Sequence, residues 1–424
     1  METLSLRSNF SWTLLGNVIY SGCQWGMLVF LAKLGSPEKV GQFALGLAVT
    51  APIIIFSGMA LRPVQATDAR KEYHFSHYFG LRLVTTLFAF FLIIVVVLIS
   101  NYHLETKMVI LAIGLAKSFE AISDIIFGLL QQHERMDRIA ISMIIKGVLS
   151  LGALGLGLYV TGSVFWASVA LASVWFMLLV TYDFDSVCLL GKEGNPVSYV
   201  AQIGFFAAPK PSWDKKKLFR LAWLAFPLSF VMLINSLKVN IPRYFIEGFL
   251  GERELGFYAA MAYVMVAGNV INNALGQSAS PRLAKYYASG KRGKYFGLLL
   301  RLTVSGTALG FLGVLIVAGL GPQILTLLYS PEFALHAQVF TWIMIANAVR
   351  FAGGFLGYGL TSARYFRVQV PINVVGLLIL TVLCYLLIPR YGLLGAAWGT
   401  ALVFLTDVFL QSLAVTHALR RISL

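Results

Sequence analysis

The chain has 424 residues, of which 58% are hydrophobic and only 12% charged, and its mean hydropathy is +0.79. A water-soluble fold of this size carries about twice that charge fraction, so the composition excludes a soluble catalytic or binding domain and asks for lipid as solvent. The net charge of +15 is distributed over many short loops, which argues against a nucleic-acid partner.

Twelve apolar stretches, each near the ~20 residues that span a bilayer, follow one another along the chain. Leu83 to Ser100 is apolar on every face, whereas barrel strands alternate in ~10-residue segments. The reading is an all-α polytopic membrane protein. The first six spans are expected at 10–32, 41–61, 80–100, 107–130, 139–160 and 163–182. The first lacks a small-residue cleavage site and reads as a retained span. A polar connection, Asp183 to Arg220, divides the chain, and its apolar piece Val197 to Ala208 reads as an interfacial segment or a plain structured loop. Six more spans are expected at 221–247, 256–276, 297–319, 337–360, 368–388 and 393–417.

Basic residues crowd alternate loops. With a cytoplasmic N-terminus, 23 of the 33 Lys and Arg residues fall on the cytoplasmic side, Arg62 and Arg82 among them. Only Lys33, Lys39, Lys107, Arg253 and Arg390 fall outside, and Lys117, Lys146, Lys238, Arg243 and Arg350 fall within spans. This asymmetry predicts that both termini are cytoplasmic.

The two halves repeat one another. Tyr78-Phe79-Gly80-Leu81 opens span three and Tyr295-Phe296-Gly297-Leu298 opens span nine. Leu34-Gly35 followed by Gly41-Gln-Phe-Ala is echoed by Leu250-Gly251 followed by Gly256-Phe-Tyr-Ala. Arg135-Met-Asp-Arg138 matches Arg364-Tyr-Phe-Arg367, and Tyr159 with Trp166 matches Tyr391 with Trp398. Two six-helix lobes, 1–182 and 221–424, joined by a cytoplasmic linker at 183–220, are therefore expected. An even number of spans per copy relates them by a pseudo-twofold axis along the membrane normal, with a cavity that opens alternately to either side.

Ionisable groups inside the bilayer cost at least ~2.5–3.5 kcal/mol each on insertion scales and mark a cavity or a partner. Lys117, Glu120 and Asp124 are spaced i, i+3, i+7, which places them on one face of span four. Span ten carries Arg350, opposite Glu120 in the repeat. One reading makes these structural, with Lys117 neutralising Glu120 and Arg350 paired to Asp407. The other makes Lys117, Arg350, Lys146, Lys238 and Arg243 substrate-binding cations and Glu120, Asp124 and Asp407 ion-coupling groups. Arg243 also suits snorkelling at the outer end of span seven. Asn235, Asn240, Asn269, Asn272, Asn273, Asn347 and Asn373 add amides for sugar hydroxyls or interhelical hydrogen bonds. Cys23, Cys188 and Cys384 are too scattered for a metal cluster or a disulfide framework, and no HExxH, Walker A or GxSxG motif occurs. No catalytic residue, metal site or cofactor is expected.

Three stretches carry a family resemblance: Ala60-Leu-Arg-Pro-Val-Gln-Ala-Thr-Asp68, the Leu-Gly junctions before spans two and eight, and Tyr-Gly-Leu-Leu-Gly-Ala-Ala-Trp-Gly at 391–399. They resemble polysaccharide flippases, the O-antigen and capsule repeat-unit translocases of the multidrug, oligosaccharidyl-lipid and polysaccharide exporter superfamily. The resemblance covers nearly the whole chain. It implies a bacterial inner-membrane protein that moves an undecaprenyl-pyrophosphate-linked oligosaccharide from the cytoplasmic to the periplasmic leaflet. It also implies a V-shaped pair of six-helix bundles and contacts with membrane lipids and other polysaccharide assembly proteins; the acids within spans, Glu120 and Asp124, make H+ or Na+ the candidate coupling ion. Multidrug members often carry an acid in span one, and 10–32 contains none. A cation-coupled exporter of small amphiphiles is the rival on the same fold. A membrane polymerase or ligase of lipid-linked sugars is the enzymatic alternative, and no outside loop is long enough to house its catalytic groups.

Overall fold

The computed structural model describes residues 6–66, 68, 72–192, 200–203, 206–363 and 365–421. The chain runs through α1 (Leu6–Leu34), α2 (Pro37–Ser57), α3 (Leu61–Ala66), α4 (Phe75–Ile99), α5 (Leu104–Gln132), α6 (Met136–Thr161) and α7 (Val164–Leu178). A π-helical turn, Leu179–Asp183, passes into α8 (Phe184–Lys192), followed by a hairpin of β1 (Val200–Ile203) and β2 (Phe206–Pro209). The remaining helices are α9 (Lys215–Leu250), α10 (Glu252–Tyr263), α11 (Met265–Ala288), α12 (Arg292–Leu328), α13 (Pro331–Ala334), α14 (Ala337–Ser362) and α15 (Phe366–Arg421).

Among the described residues nine helices are long and apolar enough to cross a membrane. The twelve expected spans are recovered in altered form. α15 holds the last two, joined at Gly392, whose φ of 57° and ψ of −138° break the helix three residues after Pro389. α5 is long enough, but Lys117, Glu120 and Asp124 interrupt its apolar run. The span expected at 256–276 is divided between α10 and α11; the 12 residues of α10 reach only about 18 Å.

The expected linker is also shorter than 183–220. Asp183 to Lys192 is helical, and α9 begins at Lys215. Within the piece 197–208, residues 200–203 and 206–208 lie in an antiparallel hairpin in the register Val200↔Pro209 and Ile203↔Phe206; residues 197–199, 204 and 205 lie outside the described residues.

Two compact units form. Unit 1 takes the chain up to Gly35 and Gln42–Ser236; unit 2 takes Ser36–Gly41 and everything from Leu237 onward. The division falls in the α1–α2 connection at Gly35–Ser36 and inside α2 and α9. In unit 1, Tyr78, Phe79, Ile125, Leu179, Val187 and Leu221 form a buried core, and α1 presses on α6 so tightly that a Cβ on Gly16 would lie 2.8 Å from the Ala140 Cα. Small residues at such crossings let helices approach where lipid offers no hydrophobic drive. The outward faces stay apolar, with Leu87 and Leu98 each 72% exposed, as a lipid-facing surface requires.

In unit 2, Leu283, Tyr295, Leu299, Leu360 and Leu419 gather the ends of α11, α12, α14 and α15. The Gly41 and Gly256 positions of the repeated motif meet here. A Cβ on Gly41 would lie 1.8 Å from the Glu252 carbonyl oxygen, and one on Gly256 would lie 1.9 Å from that of Pro37. Each glycine thus faces the carbonyl four residues before the other, and only hydrogen fits at either position. Arg253 bridges Glu38 at 2.7 Å and also pairs with Glu332.

Candidate functional site

Unit 1 contains a cavity of about 640 Å³, lined by Tyr20, Gly58, Ala60, Phe127 and Asn235 together with six charged groups: Arg62, Arg82, Lys117, Lys146, Glu120 and Asp124. Lys117, Glu120 and Asp124, which the i, i+3, i+7 spacing placed on one face, all open onto it from α5.

Two ion clusters divide the cavity wall. At one, Lys117 Nζ donates to Glu120 Oε2 at 2.7 Å and the Tyr20 hydroxyl donates to Glu120 Oε1 at 2.6 Å. The Lys117 ammonium also lies 5.0 Å from the centroid of the Trp175 ring, within cation–π range. Glu120 is therefore engaged through both oxygens. At the other, Asp124 accepts from Arg62 Nη1 at 3.0 Å and from Arg82 Nη2 at 3.4 Å, and Arg62 reaches Gln131 at 3.3 Å. One carboxylate serves two guanidinium groups, and the charge excess of the cavity sits there.

The local backbone explains the arginine pair. α2 ends in a turn whose Met59 and Ala60 take φ of 51° and 45°, a conformation that costs non-glycine residues of order 1 kcal/mol or more each. The turn lets α3 begin at once and brings Arg62 over the Phe127 ring, 5.6 Å from its centroid. Arg82 arrives from α4, only 3% exposed, and its Nε finds no acceptor among the described residues. Gly58 gives it room: a Cβ there would lie 2.8 Å from Arg82 Nη1.

From Lys146 a buried network runs back from the wall. Lys146 and Asp183 are each 1% exposed and 3.9 Å apart. Asp183 accepts from the Ser123 and Ser142 hydroxyls, both at 2.6 Å, and Lys146 donates to Ser123 at 3.1 Å. The Lys146 ammonium also lies 5.4 Å from Phe127 and 5.8 Å from Trp175, and Trp175 is fixed by its indole N–H on Ser150 at 2.7 Å. With Asp183 counted, four cations face three carboxylates, an excess of one.

In unit 2 the expected Arg350–Asp407 pair is corrected. Asp407 accepts from Lys238 Nζ at 2.5 Å, while Arg350 lies 5.9 Å from the Phe404 ring. Gly376 permits the Lys238 pairing, since a Cβ there would lie 2.6 Å from Asp407 Oδ1 and 2.8 Å from Lys238 Nζ. Arg243 Nη1 donates to Asn240 Oδ1, one turn back, at 3.1 Å. Asn373 donates to the Gln369 carbonyl at 3.0 Å. The Oδ1 atoms of Asn272 and Asn347 are buried without a partner among the described residues, and the side chains of Asn269 and Asn273 lie outside those residues.

Two groups of the cavity wall and one behind it are not singled out by the sequence. Arg62 and Arg82 fall with the cytoplasmic loop cations there, and Asp183 with the linker. Arg82 left a signal, a lone cation between Leu81 and Leu83 just inside an apolar run. Asp183 left none, because the π turn that ends at it is invisible in the residue pattern.

Residues 6–287 match the polysaccharide biosynthesis protein family. The chain belongs to that family. It is 29% identical over 395 residues to the capsular polysaccharide biosynthesis protein CapF of Staphylococcus aureus, covering 92% of this chain and 94% of that one. Its fold is that of the MOP superfamily transporters. An inward-facing multidrug resistance MATE family transporter superposes with a TM-score of 0.74 at 11% identity, over 97% of this chain and 98% of the other. The lipid II flippase MurJ, in an inward closed conformation, gives 0.70 at 11% identity, over 97% and 89%. This family member is accordingly a multi-pass membrane protein of polysaccharide biosynthesis with a transporter fold.

Proposed function

We propose that the protein flips an undecaprenyl-pyrophosphate-linked oligosaccharide repeat unit from the cytoplasmic to the periplasmic leaflet by alternating access. The observation that carries this reading is the cavity in unit 1, where Asp124 is shared between Arg62 and Arg82. A pyrophosphate and many hydroxyls cannot enter hydrocarbon unaided. Two guanidinium forks held by one carboxylate can exchange it for phosphate oxygens, which match their planar donors. Family membership and the likeness to CapF, a protein named for capsular polysaccharide biosynthesis, support the sugar class.

In this reading Lys117 also contacts the pyrophosphate, Asn235 of the cavity wall meets sugar hydroxyls, and Lys146 adds long-range attraction. Lys238 and Arg243 contribute less, since Asp407 and Asn240 already engage them. Coupling falls to Glu120 or Asp124, each an acid beside a cation within a span, which would take up H+ or Na+ during the cycle. Glu120→Gln and Asp124→Asn should then weaken gradient-driven transport, and unchanged gradient dependence in both would remove them.

The deciding experiment deletes the gene and assays lipid-linked repeat units on each leaflet of the inner membrane. Accumulation on the cytoplasmic leaflet, relieved by the wild-type gene but not by Arg82→Gln at equal membrane abundance, is the expected result. Normal leaflet distribution together with raised drug sensitivity would transfer the protein to the small-amphiphile exporters.

A further inference from the structure

The helix ends gathered by Leu283, Tyr295, Leu360 and Leu419 form a face of one charge sign. Arg282 and Lys285 at the end of α11, Lys291 in the turn, and Arg292, Lys294 and Arg301 on α12 are all exposed. No Asp or Glu lies between Glu254 and Glu332, and beyond Glu332 only Asp407 follows. Asp407 is buried on Lys238. Glu332 pairs with Arg253 beyond the far end of α12, a helix of 37 residues and so about 55 Å long. The face therefore has no side-chain carboxylate of its own.

The preference for cations in cytoplasmic loops does not account for this, because acids count little in that rule and are free to accompany the cations. They do so in the first half. The α3–α4 turn, counterpart of the α11–α12 turn by the Tyr-Phe-Gly-Leu match, carries Asp68 and Glu72. The α5–α6 turn carries Glu134, and Asp137 in the first turn of α6 is bonded to Arg135 at 2.9 Å.

A second observation indicates what the face meets. Lys294, Arg301, Ala308 and Leu315 follow one another at intervals of seven on α12, so they lie along one stripe, and all four are exposed. Two cations at the helix mouth pass into an apolar track, with Leu315 56% exposed. Phe296 and Leu300, 48% and 49% exposed, flank the cations. An acidic protein would meet the charges but leave the track unused. A phospholipid uses both, its phosphate at Lys294 and Arg301 and its acyl chain along Ala308 and Leu315.

We infer that this face of unit 2 binds anionic phospholipid headgroups, with Lys294 and Arg301 as its principal contacts. The inference rests on the membrane-spanning fold and not on the identity of the transported substrate.

The test titrates the full chain, purified in detergent, with equal amounts of phosphatidylglycerol and phosphatidylcholine of identical acyl chains, and counts bound lipids by native mass spectrometry. Wild type should take the anionic lipid in preference. Lys294→Gln/Arg301→Gln should reduce that preference roughly tenfold or more, since each cation near an anionic surface is worth about fivefold. Lys294→Arg/Arg301→Lys should keep it, as should Lys107→Gln/Arg390→Gln, which removes two cations elsewhere. No preference in wild type, or an equal loss in the charge-conserving or distant variant, would overturn the inference. Binding of poly-L-glutamate without any preference for phosphatidylglycerol would assign the face to an acidic protein instead, and the lipid reading would fail.

Discussion

Removing Asp183 should be among the most damaging single changes in unit 1. Asp183→Ala leaves the Lys146 ammonium, 1% exposed, with a serine hydroxyl and two aromatic faces in place of a counter-ion. Stranding one partner of a buried pair costs about 3–5 kcal/mol. Lys146→Met should cost less, because the Asp183 carboxylate keeps two hydroxyl donors at 2.6 Å. The double variant Lys146→Met/Asp183→Leu removes both charges, and apolar replacements of buried ion pairs are often neutral or stabilising. The thermal midpoint of the purified chain in detergent should therefore drop in Asp183→Ala and recover by more than half in the double variant. A double variant as unstable as the two single losses added together would mean that Lys146 and Asp183 do not act as a pair. Export by the folded double variant then measures what the Lys146 charge contributes to substrate attraction.

Gly58→Ala should displace Arg82, whose Nη1 would stand 2.8 Å from the new Cβ; losing one charge-assisted hydrogen bond of ~1.5–3 kcal/mol should cut glycan export at least tenfold at near-normal membrane abundance, and full export would clear Gly58 of any role in setting the arginine pair. His336, just before α14, packs its ring 4.2 Å from that of Phe257. Burial lowers its pKa, Glu254 opposes this and Arg253 adds to it. The unfolded chain then takes up the proton first, so the His336 contribution to stability is complete above about pH 6.5 and is lost as the pH falls towards the depressed native value. His336→Asn should lose less thermal stability than wild type between pH 7 and pH 5, and parallel losses would refute the assignment. A topology reporter fused after Leu424 should be active only in the cytoplasm; activity only outside would reverse the orientation read from the basic loops.

The helical class, most span positions and the one-face grouping of Lys117, Glu120 and Asp124 were legible because hydropathy and helical spacing are local properties. Arg350 illustrates the limit. The repeat placed it opposite Glu120, and Asp407 was the acid at hand in the same half, yet Lys238 took that acid because Gly376 leaves the space. Which of two cations reaches a buried carboxylate depends on the missing side chain of a third helix, and no periodicity records that. Arg62 was hidden in another way. Its position depends on two non-glycine residues in left-handed backbone, which the sequence Met59-Ala60 gives no reason to expect.

The paired glycines of α2 and α10 bear on genetics. Gly41 is confined by the carbonyl of Glu252, and Gly256 by that of Pro37 together with the Gly41 main-chain nitrogen, 3.1 Å from where its Cβ would lie, so every obstacle is a main-chain atom. A side chain introduced at Gly41 gains no room from any change at Gly256, which already presents the smallest residue available. Suppressors of a Gly41→Ala defect should therefore map to positions that shift α2 or α10 bodily, and a revertant screen should return none at position 256. Because each carbonyl is main chain, even wholesale replacement of the side chains at 37 and 252 leaves the same oxygen in the way. The two positions are thus held fixed by atoms that mutation of the side chains facing them does not remove.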